Sequence, residues 1–259
     1  MKEKRAERIL SVLYISCAIL SATSLTTIAA VWRYWTWILD VCISIDCGCI
    51  LYCNSTFSTF VGGDVKLCHF GVYGLIPTIV MGLCLGGYHG YRSCNTKNFE
   101  TSVRIYDDSN RNFNNVNDPS AVIRATRQTP YKQWMPFVFL TILLSCLSLA
   151  HAIIMTDGYY KTCNQYRIRL IQILGSTGRE TEVIYNRLSC GAIFDYMDYL
   201  QTDENNWYRV NSIDTGLALR LSLVSTWLNF VSWASALLLN YILSRRKFCY
   251  ILSYFSKLC

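Results

Sequence analysis

Charge, histidine and paired-cysteine motifs are all scarce in this chain. Charged residues make up 16% of the 259, and no Asp or Glu falls within any of the four long apolar runs. An ion pathway through a membrane is better supported by several acid or amide side chains at matched depths, so this lack weakens a pore. The three histidines, His69, His89 and His151, are fewer than the four axial ligands of a diheme four-helix cytochrome. His89 and His151 fall at opposite ends of their runs, which suits helix packing or interfacial placement. No C-x-x-C pair exists, which excludes a thiol reductase of that type and the usual zinc knuckle. There is no H-E-x-x-H, and the C-terminal cysteine lacks the C-a-a-X spacing of prenylation. The chain is read as no enzyme, with no cofactor and no bound metal.

What is present is apolar length. Four segments at 9–31, 70–91, 134–155 and 216–243 are each long enough, at about 1.5 Å per residue, to cross a hydrocarbon layer about 30 Å thick. The fold class that follows is all-α membrane: a four-transmembrane-helix bundle with two disulfide-containing extracellular or lumenal loops, at 32–69 and 156–215. A short N-terminus (1–8), a flexible loop (92–133) and a basic, aromatic tail (244–259) occupy the other side. The first run is too long for a signal-peptide core and is read as a retained anchor. Trp32, Tyr34, Trp35 and Trp37 at its end suit the headgroup layer.

The net charge of +7 belongs to this topology and not to nucleic acid. The N-terminus, middle loop and tail hold 15 of the 24 basic residues but 6 of the 17 acids. Positive charge accumulates on the cytosolic side, so both termini are expected there. The single sequon, Asn54-Ser55-Thr56, lies in the first outer loop, where a lumenal enzyme would meet it. Asn54 is therefore the candidate glycosylation site. The membrane is that of the secretory pathway or the plasma membrane.

Of thirteen cysteines, Cys17, Cys84 and Cys146 lie within spans as small packing residues, and Cys94, Cys249 and Cys259 face the cytosol. Cys249 and Cys259 are palmitoylation candidates beside the basic tail. Seven remain outside: Cys42, Cys47, Cys49, Cys53, Cys68, Cys163 and Cys190. Short loops in an oxidising compartment gain rigidity from disulfides, and an odd count leaves one thiol over. Cys42, nearest the membrane, is the candidate for that thiol. Zinc at the Cys42–Cys53 cluster is disfavoured by its C-x4-C-x-C-x3-C spacing.

Within the spans, Gly82 and Gly86 form a G-x-x-x-G step that permits close helix approach, either inside the bundle or at a dimer face. Pro77 is expected to kink the same helix. Arg220 stands where it can snorkel to the surface, and Asn229, deeper, is expected to bond a Ser or Thr of the first span. In the second outer loop, 168–174 reads as strand or helix, and 193–200 as a short amphipathic helix.

Several short motifs recur in a recognisable order. Cys49-Ile50-Leu51-Tyr52 precedes the sequon, then come Cys68-His69-Phe70 and His89-Gly90-Tyr91-Arg92-Ser93; later come Gly158-Tyr159-Tyr160-Lys161-Thr162-Cys163, Ser189-Cys190 with Asp195, and Ser225-Thr226-Trp227-Leu228-Asn229-Phe230. This order resembles the transmembrane protein 179 family, with four spans and two cysteines in each outer loop. The resemblance implies disulfides Cys49–Cys68 and Cys163–Cys190, with cross-loop pairing as the alternative. Cys42, Cys47, Cys53 and the Asn-rich middle loop depart from the family pattern. The signatures of claudins (W…G-L-W…C…C), tetraspanins (C-C-G) and connexins (three cysteines per outer loop) do not occur. The expected role is an accessory or organising subunit whose partners are the lipid bilayer and another integral membrane protein. The alternative is a homo-oligomeric pore or transporter assembled through the glycine-rich second span.

Overall fold

A computed structural model describes residues 3–39, 46–56, 60–111, 134–175, 177–200 and 213–256, with the backbone alone at 3–4, 37–38, 95–111, 134–135, 199–200 and 245–256. The elements are α1 (Glu3–Leu39), β1 (Cys49–Ser55), β2 (Phe60–Gly63), α2 (Val65–Tyr73), α3 (Ile76–Arg111), α4 (Trp134–Leu174), α5 (Arg179–Asn186), α6 (Cys190–Leu200) and α7 (Thr215–Ser256). The chain is mostly helical, and four of its helical segments are long and apolar enough to cross a membrane.

The helices associate around α1, which packs against α7 on one side and α3 on the other; α4 joins through α7. The α1 and α7 faces explain why. Leu10, Tyr14, Cys17, Ser21, Ser24, Ile28, Val31 and Trp35 are all fully buried, spaced alternately four and three residues apart. On α7 the buried series Thr215, Leu219, Ser222, Thr226, Asn229, Trp233, Ala236 and Asn240 keeps the same spacing. A mean step of about 3.5 residues holds one helical stripe against its partner along the full length. Side-chain bonds fix the register: Trp35 Nε1 donates to Thr215 Oγ1 (2.8 Å), Ser24 and Ser222 hydroxyls meet at 2.9 Å, and Asn240 Nδ2 donates to Tyr14 Oη (2.6 Å). The residue numbers fall on one helix as they rise on the other, so the pair is antiparallel.

The α1–α3 contact depends on glycine. A Cβ at Gly82 would lie 2.9 Å from the Tyr14 carbonyl, and one at Gly86 would lie 2.7 Å from Ile15 Cγ1. Ser11 Oγ donates to the Gly86 carbonyl at 2.8 Å, and Thr78 Oγ1 donates to Ser21 Oγ at 2.9 Å. The G-x-x-x-G step is thus used within the chain. At one end Glu7, almost fully buried, pairs with Arg92 at 2.9 Å and joins the same two helices.

The second span is interrupted at Gly74 and Leu75, just before Pro77. Pro77 has no N–H to offer the Tyr73 carbonyl, and the helix stops at Tyr73 and restarts at Ile76. His151 Nε2–H of α4 donates to the Gly71 carbonyl at 2.9 Å, which ties the end of α2 to α4.

Hydroxyls outside the helix interfaces turn back on their own helices. Thr23 donates to Ile19 O at 2.9 Å and Ser235 to Val231 O at 2.8 Å. Exposed residues alongside them are apolar, among them Val12, Ile19, Leu83, Phe139, Val224 and Leu238. This arrangement suits a hydrocarbon surround, where a polar atom without a partner is costly.

Several expected boundaries move. α3 continues to Arg111 through the first half of the segment expected to be flexible, while 112–133 lie outside the described residues. α4 stays helical to Leu174 and α7 to Ser256, past the apolar spans expected at 134–155 and 216–243. The reason is that no proline or glycine interrupts 159–174 or 217–256. Of the three span cysteines only Cys17 is buried; Cys84 and Cys146 are exposed on outward faces and do not pack the interior.

Gly82→Ala is expected to destabilise the protein by about 2 kcal/mol, within the usual range for overpacking. Gly87, where a Cβ would meet nothing within 4 Å, supplies the control on the same helix. Thermal unfolding in mild detergent should give a lower Tm for Gly82→Ala and an unchanged or higher one for Gly87→Ala.

Candidate functional site

At about 1.5 Å per residue, the 41 residues of α4 extend roughly 60 Å, twice the thickness of a hydrocarbon layer. The surplus half, from about Asp157 onward, is the post on which a small module is built. Successive α4 side chains bind its parts. Thr162 Oγ1 donates to Ile50 O (2.8 Å) and accepts from Cys53 N–H (3.3 Å), and Gln165 Oε1 accepts from Ser55 N–H (3.2 Å). Tyr166 meets Phe60 edge-on with ring centres 5.2 Å apart, and Tyr159 meets Phe194 at 5.2 Å.

The hairpin held there is irregular. Cys49 pairs with Gly63 and Asn54 with Val61, so β1 advances five residues while β2 advances two, and the excess is a bulge. Within it Tyr52 adopts φ 60°, a left-handed conformation that side chains disfavour. Gly62 and Gly63 make room for the bulge, since a Cβ on either would overlap a carbonyl of the facing chain, Cys47 O and Leu51 O respectively. Gly158 serves the same end, because a Cβ there would lie 3.0 Å from the Tyr52 ring. Lys161 Nζ stands 5.0 Å from the centre of that ring.

Two disulfides close the module. Cys49 is bonded to Cys68, joining β1 to α2 with Cα atoms 5.6 Å apart, and Cys163 to Cys190, joining α4 to α6 at 5.5 Å. Each closes its own loop, and neither crosses between them. Cys47 is also disulfide-bonded. Among the described residues the unpaired thiol at this end is Cys53; Cys42, the candidate from sequence, lies outside them. Cys53 is buried in the hairpin with its Sγ 3.2 Å from Ile50 O, and burial pushes the thiol up to about 12. It stays protonated at neutral pH and is a poor nucleophile.

A polar chain connects the module to the helices. Asp198 of α6 accepts from Thr215 N–H (2.9 Å) and Thr215 Oγ1–H (2.6 Å), and the Thr215 oxygen in turn accepts from Trp35. Trp35 is consequently fully buried within the protein; Trp32, half-buried, packs edge-on to His69 at 5.0 Å. Burial raises the Asp198 carboxyl above the usual carboxylate range, against the opposing effect of the Thr215 bonds. Asp214 caps α7, accepting from Leu217 N–H at 2.8 Å, and Arg220 lies across Gly191 at the start of α6.

The remaining candidates from sequence are dispersed. Asn54 is exposed on β1, with Thr56 exposed two residues on. Asn229 is buried, but its Oδ1 has no partner among the described residues; Asn240, three turns further along the same stripe, makes the bond to α1 expected of Asn229. The seven-residue spacing of Ser, Thr and Asn along α7 is the signal that would reveal the whole stripe. The Cys249 side chain and Cys259 lie outside the described residues. Among the described residues no group of three or more His, Cys, Asp or Glu is placed to hold a metal ion. No family model, curated protein or solved structure matches this chain.

Thr162→Val would keep the shape of α4 and strand a buried carbonyl and N–H of the bulge, at a cost of about 2 kcal/mol. Hydrogen exchange at Cys53 and Ser55 should accelerate in this variant while exchange along α1 stays unchanged.

Asp198 sets a pH dependence of definite sign. A carboxyl whose folded pKa is raised contributes stability that is present below its unfolded value, about 3.9, and lost as pH rises through the folded value. The Tm difference between the parent and Asp198→Asn should therefore move in favour of the parent as pH is lowered from about 7 to about 4. A difference independent of pH over that window would contradict the assignment.

Proposed function

We propose that this chain is a non-enzymatic four-pass membrane protein that serves as an accessory or organising subunit of another integral membrane protein, with both termini cytosolic and the disulfide-closed module outside. The observation that carries this reading is the module's exposed apolar surface. Beyond the apolar span, Ile173 and Leu174 of α4 and Val183 of α5 are each more than half exposed. Such residues on a segment held by disulfides and α4 side chains suit a preformed contact for a protein partner. The helix interior is occupied by Tyr14, Trp35 and Trp233, which favours a filled support over a passage through one chain. A bundle of four transmembrane helices accounts for the packing of α1 with α3 and α7 and of α7 with α4.

Sidedness in this reading follows the basic residues at both termini and in the middle segment. Asn54 then becomes a glycan acceptor, and its exposure leaves it open to the transferase. The resemblance to the transmembrane protein 179 family agrees with the same arrangement.

Purification in mild detergent followed by native mass determination tests the role. One copy of this chain with a stoichiometric unrelated membrane protein is the expected outcome; a homo-oligomer that conducts ions in bilayers would overturn it. For topology, glycosidase should shift the parent and leave Asn54→Gln unchanged on a gel, and tags at either terminus should resist protease added to intact cells.

A further inference from the structure

Midway along the helices, buried polar atoms collect that the α1–α7 clasps do not use. Ser148 Oγ and His151 Nδ1 of α4, and Asn229 Oδ1 and Trp233 Nε1 of α7, belong to side chains at least 98% buried and have no hydrogen-bond partner among the described residues. Their positions fall within about two helical turns of one another. Trp227 Nε1 donates to Thr156 Oγ1 at 3.0 Å, which sets residue 156 of α4 beside residue 227 of the antiparallel α7. Counting five to eight residues back along α4 reaches His151 and Ser148, and the same count forward along α7 reaches 232–235, one turn of helix about Trp233. Asn229 lies one turn from Trp233 on the same buried stripe.

The chemistry of the four atoms is complementary. In the neutral imidazole that full burial favours, Nε2–H donates to Gly71 O and Nδ1 carries the lone pair that accepts. Asn229 Oδ1 accepts, Trp233 Nε1–H donates, and the Ser148 hydroxyl can do either. None of the four side chains carries a charge. An anion would face two acceptors and a cation would face the indole N–H, whereas small neutral molecules with both donors and acceptors, such as water, match all four in kind. Leaving such atoms without partners inside a membrane costs far more than immobilising one water.

We propose that the α4–α7 interface contains a structural water site bounded by Ser148, His151, Asn229 and Trp233. The site joins α4 to the α1–α7 seam through hydrogen bonds that the side chains cannot reach directly. It stands independently of the accessory role, since it concerns only how α4 is held.

The test uses the full chain in lipid nanodiscs with 15N-labelled Trp and His. The Trp233 indole resonance, assigned by its loss in Trp233→Phe, should show magnetisation transfer from water. That transfer should fall several-fold in Ser148→Ala/Asn229→Leu. In the parent, the His151 Nδ1 shift should be that of an acceptor engaged in a hydrogen bond, a readout that needs no variant to fold. Absence of water transfer to Trp233, an unbonded Nδ1 shift, or transfer that persists undiminished in the folded double variant would each overturn the site.

Discussion

The antiparallel seam between α1 and α7 is the constraint on which the rest of the structure depends. In hydrocarbon two helices gain little from burying leucine against leucine, so association must come from close packing and polar contacts. Here both are combined: small residues such as Ala236, Ser222 and Ser24 bring the helices together, and three side-chain bonds set their register at the two ends and between. Because the buried positions repeat every seven residues on both helices, the seam neither drifts nor frays over about 25 residues. α3 then adds to α1 through Gly82 and Gly86, and α4 adds to α7. The first and last helices of the chain thus form the centre, and the two middle ones are placed by them.

From that seam the disulfide-closed module inherits its position. Trp35 lies near the end of the buried stripe of α1, Thr215 begins that of α7, and the bond between them is continued to Asp198 on α6. α4 supplies the second anchor, since its projecting half carries Thr162, Cys163 and Gln165 within a single turn. The hairpin itself is too short and too distorted to be stable alone. Its left-handed Tyr52, its bulge and its paired glycines persist because α4 takes up the hydrogen bonds that β2 cannot offer. The hairpin thus keeps a fixed shape on the projecting half of α4.

Much of this is legible from residue type and spacing. The four spans follow from apolar length, and the glycine step at Gly82 from the need for close approach. Helix α6 is visible in the pattern of 193–200. The elements that escape are those whose signal is not local. Nothing in Cys49–Ser55 alternates strongly enough to announce a strand, since its fit comes from Thr162, far along the chain on α4. Composition turns polar after residue 155 and suggests that α4 ends there, yet a helix continues across such a change when its next turns are held by tertiary partners. The aromatic company of Trp35 points to the headgroup layer, whereas its bond to Thr215 draws it into the core.

By itself the sequence determined that this chain has four helices long and apolar enough to cross a membrane, because hydrocarbon thickness acts on apolar length alone. Only the tertiary structure decided which polar residues meet. Asn240 rather than Asn229 reaches α1, Cys53 is left as a buried thiol, and Asp198 is drawn to the end of α7. These outcomes depend on helix register and rotation, to which a shift of one residue, about 100° around the helix, makes all the difference.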